Sequence, residues 1–400
     1  MQTVVLAAGK GTRMRPLTDA YPKPMLPVAG KPLLEHTLQT ATRAGASKFI
    51  IVVGYNKEII QSYFGESFQD IPITYVVQDT RQGTADALKT AQSALSSSDP
   101  VIVLNGDSLF DQPSIDALYD ADIAVGSIGV DDPTQYGVLE TGSDDQYLVD
   151  IVEKPDDPPT NQVNTGAYLF PPTIQKYLDV EASKRGEYEL TDVLSQIVND
   201  YTVETIEFNR WLDVGRPWEL LEANEWKLNE ISRYLGGEIS PQATVQGTVY
   251  IEVGASIREG AVIEGPAYIA TNSAIGPNAY IRGSTYIGPD VHIGHAVEVK
   301  NSVIMKETNI SHLSYVGDSV LGREVNLGAG TQVANLRHDG ESVHMVVKGE
   351  STSTGRRKFG VVLGDGVKTG INTSLNAGVR LDTNATTAPG ETVMYSPDSN

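Results

Sequence analysis

The second half of the chain carries a six-residue period of aliphatic side chains. A chain that turns an aliphatic side chain inward at every sixth residue forms short flat strands, three to each coil, that stack into a parallel β-helix. Eleven consecutive aliphatic residues occupy one register: Ile239, Val245, Ile251, Ile257, Ile263, Ile269, Ile275, Ile281, Ile287, Ile293 and Val299. This period predicts a solenoid over residues 237–400.

The register then shifts and lapses once. It slips by one residue to reach Ile304 and again to reach Leu321, and it resumes at Leu363 after a lapse across residues 336–358. A long excursion from a regular solenoid is typical of a functional loop. We therefore expect residues 336–358 to form an active-site loop.

The first half reads as an α/β domain. Apolar segments of helical spacing alternate with short continuous apolar runs, which predicts a mostly parallel sheet of Rossmann-like type with helices on both faces. The predicted helices cover 33–44, 57–64 and 85–94, and the predicted strands cover 49–53, 73–78 and 101–104. Helical spacing over 218–235 places the domain boundary near Gly236-Gly237, giving domains 1–236 and 237–400.

The amino-acid composition limits the kinds of partner that this protein is expected to bind. Fifty-one acidic residues against thirty Lys and Arg give a net charge of −21, which argues against nucleic acid and anionic membranes. The excess of acid suits a salt-adapted organism and an ordinary acidic enzyme equally. Without cysteine, disulfides and thiolate metal sites are excluded. Because no apolar run suits a signal peptide or a membrane span, we expect a cytoplasmic protein.

The first strand leads into a cationic loop. Val4–Ala8 is an apolar run that passes into a glycine-containing turn, a typical way to present backbone N–H groups to phosphate. The loop spacing matches neither the P-loop nor the dinucleotide-binding motif. Cations outnumber acids in it, with one acid, Asp19, against Lys10, Arg13, Arg15 and Lys23. This local reversal of charge favours a polyanionic ligand.

Further polar motifs follow predicted strands, where ligands of parallel sheets gather. Gln78 ends the third strand, and its amide can both donate to and accept from a pyrimidine edge. Asp107 follows a strand directly, in a position suited to an Mg²⁺ ligand. Downstream come Tyr136-Gly137, Glu153-Lys154-Pro155, Asn164-Thr165-Gly166 and Trp211-Leu212-Asp213-Val214-Gly215.

In order along the chain, these motifs closely resemble those of the sugar-1-phosphate nucleotidylyltransferases. The resemblance implies that Arg13 and Lys23 contact the phosphates and that Asp107 and Asp213 bind Mg²⁺. It implies nucleotide contacts from Leu6, Ala8, Gly9, Gly11, Gln78, Gly83 and Thr84. It implies contacts to the sugar phosphate from Gly137, Glu153, Lys154 and Asn164. The nucleotide would be UTP or dTTP.

The solenoid contains one histidine in a chemically suggestive segment, His312-Leu313-Ser314-Tyr315. This segment and those around it resemble the acetyltransferase site of the bifunctional N-acetylglucosamine-1-phosphate uridylyltransferase/glucosamine-1-phosphate acetyltransferases, archaeal type. The resemblance implies that His312 is the general base that deprotonates the amine. It implies substrate contacts from Arg282, Lys300, Tyr315, Asn326 and Asn335, with acetyl-CoA as co-substrate. It also implies left-handed winding and a homotrimer or a higher homo-oligomer.

The sequence departs from that family after Asn335. Leu336 stands where an aromatic residue is common, and the following His338-Asp339-Gly340-Glu341 carries no lysine. We expect a bifunctional enzyme of UDP-N-acetylglucosamine synthesis. Two alternatives stay open: a monofunctional glucose-1-phosphate thymidylyltransferase or mannose-1-phosphate guanylyltransferase with a structural solenoid, and a non-catalytic regulatory subunit.

Overall fold

A computed structural model describes residues 1–80, 82–142, 146–183 and 186–396. It divides the chain into two compact units. The first comprises Met1–Lys10, Pro22–Met25 and Leu33–Asp213, and the second comprises Gly11–Tyr21, Leu26–Pro32 and the chain from Val214 onward. The segments 11–21 and 26–32 therefore pack with the second unit although they lie early in the sequence. The division predicted near Gly236-Gly237 marks the start of the repeats and stays a prediction.

Six α-helices occur in the described residues: α1 Leu33–Arg43, α2 Lys57–Phe64, α3 Thr84–Thr90, α4 Gln112–Asp120, α5 Leu190–Ile197 and α6 Pro217–Leu228. The early strands are β1 Gln2–Ala7, β2 Pro27–Val28, β3 Lys31–Pro32, β4 Lys48–Val53, β5 Ser67–Phe68, β6 Ile71–Val77, β7 Val101–Asn105, β8 Ser108–Phe110, β9 Ala124–Gly129, β10 Gly137–Thr141, β11 Leu148–Glu153, β12 Gln162–Phe170, β13 Glu204–Glu207 and β14 Trp211–Asp213. The predicted helices and strands of the first half are confirmed within a few residues at each end.

The first unit is built on a mixed sheet with a parallel centre. Strands β7, β1, β4 and β6 are adjacent in that order and parallel, as predicted. Beyond β7 the sheet continues through β12, which runs antiparallel to both β7 and β9. Because β1 and β7 are parallel neighbours, their carboxyl ends, Ala7 and Asn105, lie at the same edge of the sheet. The cationic loop that begins after Ala8 follows the first of these ends, and Asp107 follows the second.

The second unit is a parallel β-helix. Its strands are β15 Tyr234–Leu235, β16 Glu238–Ile239, β17 Thr244–Gln246, β18 Val249–Ile251, β19 Ser256–Ile257, β20 Val262–Glu264, β21 Ala267–Ile269, β22 Ala274–Ile275, β23 Tyr280–Arg282, β24 Thr285–Ile287, β25 His292–His295, β26 Glu298–Lys300, β27 Val303–Ile304, β28 Asn309–His312, β29 Tyr315–Gly317, β30 Val320–Leu321, β31 Asn326–Leu327, β32 Gln332–Val333, β33 His344–Val347, β34 Glu350–Ser353, β35 Val362–Leu363, β36 Ser374–Leu375, β37 Arg380–Leu381 and β38 Thr392–Val393. Apart from the hairpin β33–β34, they form three parallel sheets, consistent with the expected left-handed β-helix.

The six-residue register forms the solenoid core. Every one of its eleven aliphatic residues lies in a strand, and those from Ile251 to Val299 are at most 2 % exposed. Ile269 pairs in register with Ile251 on one side and Ile287 on the other, so identical side chains stack along the axis. Full burial of such a side chain contributes roughly 1.5–3 kcal/mol. The period thus specifies both the strand positions and the inward-facing side chains.

The helix predicted over 218–235 is shorter than expected. It ends at Leu228 as α6, and Tyr234-Leu235 instead form β15, which pairs with β18. Tyr234 begins a row of tyrosines on successive coils, and its ring centroid lies 4.9 Å from that of Tyr250. Tyr250 stacks in turn on Tyr268 at 4.8 Å. Aromatic stacking across coils therefore recruits the last residues of the predicted helix into the solenoid.

Candidate active sites

A cavity of about 330 Å³ opens at the carboxyl edge of the first sheet. Seven of the residues implied to contact nucleotide or metal line it together: Leu6, Ala8, Gly9, Gln78, Gly83, Thr84 and Asp107. Lys10, Glu187 and Glu189 complete much of its charged lining. The structure thus brings the motifs around Gly9, Gln78 and Asp107 into one pocket.

The Gly83 turn shows why glycine is needed in this cavity. Gly83 has φ +118°, and a Cβ placed there would lie 2.2 Å from the Tyr188 carbonyl oxygen. A side chain is therefore excluded by close contact with backbone. Thr84 is the first residue of α3, and its hydroxyl accepts a hydrogen bond from the Leu190 N–H at 2.9 Å. Thr84 therefore ties the turn to α5 and does not cap its own helix.

Gln78 is held by the same turn. Its Nε2 donates to Asp86 Oδ2 at 2.6 Å and to the Gly83 carbonyl at 3.3 Å. The side chain is 5 % exposed, so its orientation is fixed by these contacts. Both N–H donors of the amide are thus used within the protein, so the contact that this side chain can offer a base is acceptance through Oε1.

Asp107 and Asp213 converge on one buried lysine. Lys23 Nζ donates to Asp107 Oδ2 at 2.7 Å and lies 3.7 Å from Asp213 Oδ1. The Lys23 side chain is 6 % exposed. Strand β14 pairs with β8, directly after Asp107 in sequence, and this pairing carries Asp213 to the site. The structure thus brings together the two aspartates implied to bind Mg²⁺ and places between them Lys23, which was implied to contact phosphate.

This pair fits an Mg²⁺ ion. The lysine ammonium stands in for a cation between the two carboxylates, and the adjoining cavity adds two further acids, Glu187 and Glu189, against one lysine, Lys10. An anionic nucleotide entering such a lining needs a bound cation beside it. Among the described residues no group of three or more Asp, Glu or His side chains could hold a metal ion, so phosphate and water would complete the coordination.

The residues implied to bind the sugar phosphate cluster on neighbouring strands of the first unit. Gly137 and Glu153 are paired in register between β10 and β11, and Lys154 Nζ lies 3.5 Å from Glu153 Oε1. On β12, Asn164 donates to the Tyr168 hydroxyl at 2.5 Å and accepts from the Gly166 N–H at 2.8 Å. Burial raises the pKa of Tyr168, which keeps this hydroxyl neutral.

Arg13 and Gly11 belong to the second compact unit. Arg13 lines a separate cavity of that unit with Arg15 and Lys348. The implied nucleotide loop is therefore divided between the two units after Lys10.

The implied acetyltransferase residues lie on two neighbouring sheets of the solenoid, on successive coils. His312 ends β28, its side chain is exposed, and Asn326 lies on the next coil of the same sheet. Leu313 adopts φ 52° at the corner, after which Tyr315 begins β29 in the neighbouring sheet. The imidazole thus points outward from the aliphatic core, as a general base requires.

The implied phosphate-binding cations are neighbours on successive coils. Arg282 and Lys300 are paired in register between β23 and β26. Arg282 Nη1 donates to Glu298 Oε1 at 3.0 Å, and this bond raises the pKa of the guanidinium. Tyr315 is paired in register with Glu298, so it begins the strand next to the one that Lys300 ends.

Two family models match successive parts of the chain. Residues 2–230 match the nucleotidyl transferase family model, and residues 263–385 match the model of the GMPPB C-terminal domain. The bifunctional protein GlmU of Methanococcus maripaludis is 44% identical over 389 residues, which cover 96% of this chain and 92% of that protein. A bifunctional sugar-1-phosphate nucleotidylyltransferase/acetyltransferase of Sulfurisphaera tokodaii is 38% identical over 400 residues, covering 98% of this chain and 97% of that protein. The chain belongs to the family of bifunctional sugar-1-phosphate nucleotidylyltransferase/acetyltransferases.

A solved structure agrees with the fold of the first half of this bifunctional transferase. The UDP-glucose pyrophosphorylase crystallised with UDP-glucose aligns with a TM-score of 0.53 and 25% identity, covering 57% of this chain and 99% of that chain. The described residues of the bifunctional transferase contain no helix long and apolar enough to cross a membrane.

The sequence reasoning missed the buried acid that connects the acetyltransferase residues. Asp318 Oδ2 lies 3.2 Å from Lys300 Nζ and accepts from Asn335 Nδ2 at 2.5 Å, and its Oδ1 accepts from Asn301 Nδ2 at 2.8 Å. The Asp318 side chain is 3 % exposed. Asn335 Nδ2 also donates to the Tyr315 hydroxyl at 3.1 Å. Asp318 is thus the centre of the polar network in this member of the family.

The sequence around Asp318 indicates a turn but not a buried carboxylate. It lies at a coil corner with φ 52°, where Asp and Asn are favoured for conformational reasons alone, as at Asp290 with φ 57°. The sequence does not distinguish an aspartate that serves only the turn from one whose carboxylate is also buried. The three-dimensional contacts of its oxygen atoms make that distinction.

Proposed function

We propose that the second unit acetylates glucosamine 1-phosphate with acetyl-CoA and that the first unit transfers a uridylyl group from UTP to the product. The observation that carries the proposal is a set of polar side chains on successive coils of the solenoid: an exposed His312 ends β28, Asn326 lies on the next strand of the same sheet, and Arg282, Lys300 and Tyr315 lie on adjacent strands of the neighbouring sheet. A solenoid that served only to assemble subunits would need none of these side chains. The similarity to named bifunctional relatives over nearly the whole chain supports the same reading.

In nucleotidyl transfer, an oxygen of the sugar phosphate attacks the α-phosphorus of the triphosphate in line, and pyrophosphate leaves. The protein contributes position and charge rather than covalent chemistry. Lys23, held between Asp107 and Asp213, places a cation at the cavity edge, and Gln78 and the Gly83 turn orient the base. Mg²⁺ held by the two aspartates would supply further charge neutralisation on the phosphates.

In acetyl transfer, the amine of glucosamine 1-phosphate must lose a proton before its lone pair can attack the thioester carbonyl. His312 accepts that proton, the N–C bond forms, and coenzyme A leaves as the thiolate. Arg282 and Lys300 fix the phosphate of the sugar through charge-assisted hydrogen bonds. Asn335, held by Asp318 and the Tyr315 hydroxyl, would contact the acetyl group.

The nucleotidyl reaction is tested by a substrate panel. We expect pyrophosphate release in the presence of Mg²⁺ to be fastest with UTP and N-acetylglucosamine 1-phosphate, measured against dTTP, GTP and the 1-phosphates of glucose and mannose. Fastest turnover with glucose 1-phosphate and dTTP, or with mannose 1-phosphate and GTP, would favour a monofunctional enzyme. No turnover with any pair would favour a regulatory subunit.

We expect Asp318→Asn to impair acetyl transfer alone. The change removes the negative charge beside Lys300 and one acceptor for Asn335, while asparagine tolerates the positive φ at this corner. Charge-assisted bonds contribute about 1.5–3 kcal/mol each, so kcat/KM for glucosamine 1-phosphate should fall roughly tenfold or more.

The matched control for this variant is Asp290→Asn, at a corner of the same backbone conformation but with an exposed side chain. Both variants should keep wild-type nucleotidyl transfer. A merely structural role for Asp318 would lower the unfolding temperature and leave KM for glucosamine 1-phosphate unchanged, and that pattern would count against a positioning role.

A further inference from the structure

The second unit holds a cavity of about 690 Å³ with an unusual charge for this chain. Four cationic side chains line it, Arg13, Arg15, Lys348 and Arg380, against two carboxylates, those of Asp19 and Asp382. In a chain of net charge −21, such an excess of positive charge favours a ligand with several negative charges. Arginine suits phosphate because its planar fork can donate two parallel hydrogen bonds.

Lys348 is presented to the cavity by a tight hairpin. Strands β33 and β34 pair in register up to Val347 and Glu350, so Lys348 and Gly349 form a two-residue loop. Both have positive φ, 53° and 83°, which is the geometry of a type I′ turn. The first position of this turn favours Asn, Asp or Gly. A lysine at this position is unfavourable for the backbone, and what it adds there is a positive charge.

Lys348 keeps that charge available. No carboxylate lies within ion-pair distance of Lys348 in the ranges of the chain that the structure describes. Each carboxylate in the cavity lining instead pairs with an arginine: Arg15 Nε lies 3.3 Å from Asp19, and Arg380 Nε lies 3.1 Å from Asp382.

The cavity walls are tied to one another. Asp19 Oδ2 accepts from the Thr383 hydroxyl at 3.1 Å, which joins the 11–21 segment to the last coils of the solenoid. Arg380 Nη1 donates to the Val346 carbonyl at 3.4 Å, which joins the hairpin to the same coils. Arg380 is 7 % exposed, so its position is fixed by packing. Three separate chain segments therefore hold these charges around one space.

We propose that this cavity binds a polyphosphate group and that Lys348 is one of its binding residues. The proposal rests on the proposed function in one respect: Arg13, which lines this cavity, belongs to the loop that the family resemblance implies to bind the triphosphate. The polyphosphate can come from the substrate triphosphate and its pyrophosphate product, or from a separate regulatory polyphosphate. In either case the excursion from the solenoid contributes a phosphate contact through its tip.

The test is the affinity of the full chain for inorganic pyrophosphate, measured by titration calorimetry. Lys348→Asn removes the charge and suits the turn, so any loss of affinity is not a loss of the hairpin. We expect the dissociation constant to rise about tenfold, the effect of one charge-assisted bond. The matched control Lys176→Asn removes an exposed lysine of the first unit and should change it less than twofold.

The KM for the nucleoside triphosphate distinguishes the two possible sources of the polyphosphate. A rise in KM for the nucleoside triphosphate with kcat preserved would assign the site to the reaction's own polyphosphate, whereas weaker pyrophosphate binding with KM unchanged would assign it to a regulatory ligand. Pyrophosphate binding to Lys348→Asn as tight as to the wild type would overturn the proposal. Absence of nucleotidyl transfer in the wild type, with the calorimetric difference intact, would overturn the proposed function alone.

Discussion

Replacing His312 with alanine is expected to abolish acetyl transfer and to leave nucleotidyl transfer at the wild-type rate. The exposed imidazole ends β28, and the neighbouring sheet carries Tyr315 with the register-paired cations Arg282 and Lys300. An imidazole nitrogen can accept the proton that the substrate amine loses. General-base catalysis contributes about 10²- to 10⁴-fold, so the rate of coenzyme A release should fall by that factor. The measurement is thiol release from acetyl-CoA with glucosamine 1-phosphate.

His295→Ala is the matched control for this variant. His295 is the register partner of His312 on the preceding coil and is also exposed, so the substitution removes the same side chain from a nearly identical backbone. Acetyl transfer should be retained. Full acetyl transfer in His312→Ala, or equal loss in both variants, would show that the base has been assigned wrongly.

Asp107→Asn is expected to have the opposite effect: it should impair nucleotidyl transfer and leave acetyl transfer intact. It removes one of the two carboxylates that converge on Lys23, and with it half of the ligand set proposed for Mg²⁺. Loss of a preorganised electrostatic contact at a reacting centre costs on the order of 10²- to 10³-fold in kcat. Pyrophosphate release at saturating Mg²⁺ should therefore fall by that factor, and acetyl transfer should be unchanged.

Asp116→Asn provides the comparison, because Asp116 is an exposed carboxylate on α4 that accepts a local hydrogen bond from Gln112. It should keep both activities. If Asp107→Asn lost acetyl transfer in parallel with pyrophosphate release, the defect would lie in folding and not in the metal site. Retained pyrophosphate release would remove Asp107 from the metal site.

The repeats could be predicted from sequence because one requirement governs every coil. Each aliphatic residue from Ile251 to Val299 must return to the interior after six residues, so the spacing specifies strand, face and stacking partner at once. The strand-end motifs were predictable for a similar reason, since parallel strands deliver their carboxyl ends to one edge. Asp107 and the Gly83 turn line the same cavity as expected.

Contacts between segments distant in sequence could not be predicted in this way. Nothing in the spacing of Asp107 and Asp213 shows that Lys23 lies between them, or that Asp318 accepts from Lys300 and Asn335 together. The residues 336–358 interrupt the period, so no register was available from which to predict the β33–β34 hairpin. These features depend on tertiary packing, which local patterns do not encode.

The central claim is that one chain performs two consecutive reactions at two sites. The most direct measurement is the mass of the nucleotide sugar formed when the purified protein is mixed with glucosamine 1-phosphate, acetyl-CoA, UTP and Mg²⁺. We predict a uridine diphosphate sugar carrying an acetyl group, with release of both coenzyme A and pyrophosphate. A nucleotide sugar without the acetyl group, formed with no release of coenzyme A, would contradict the claim.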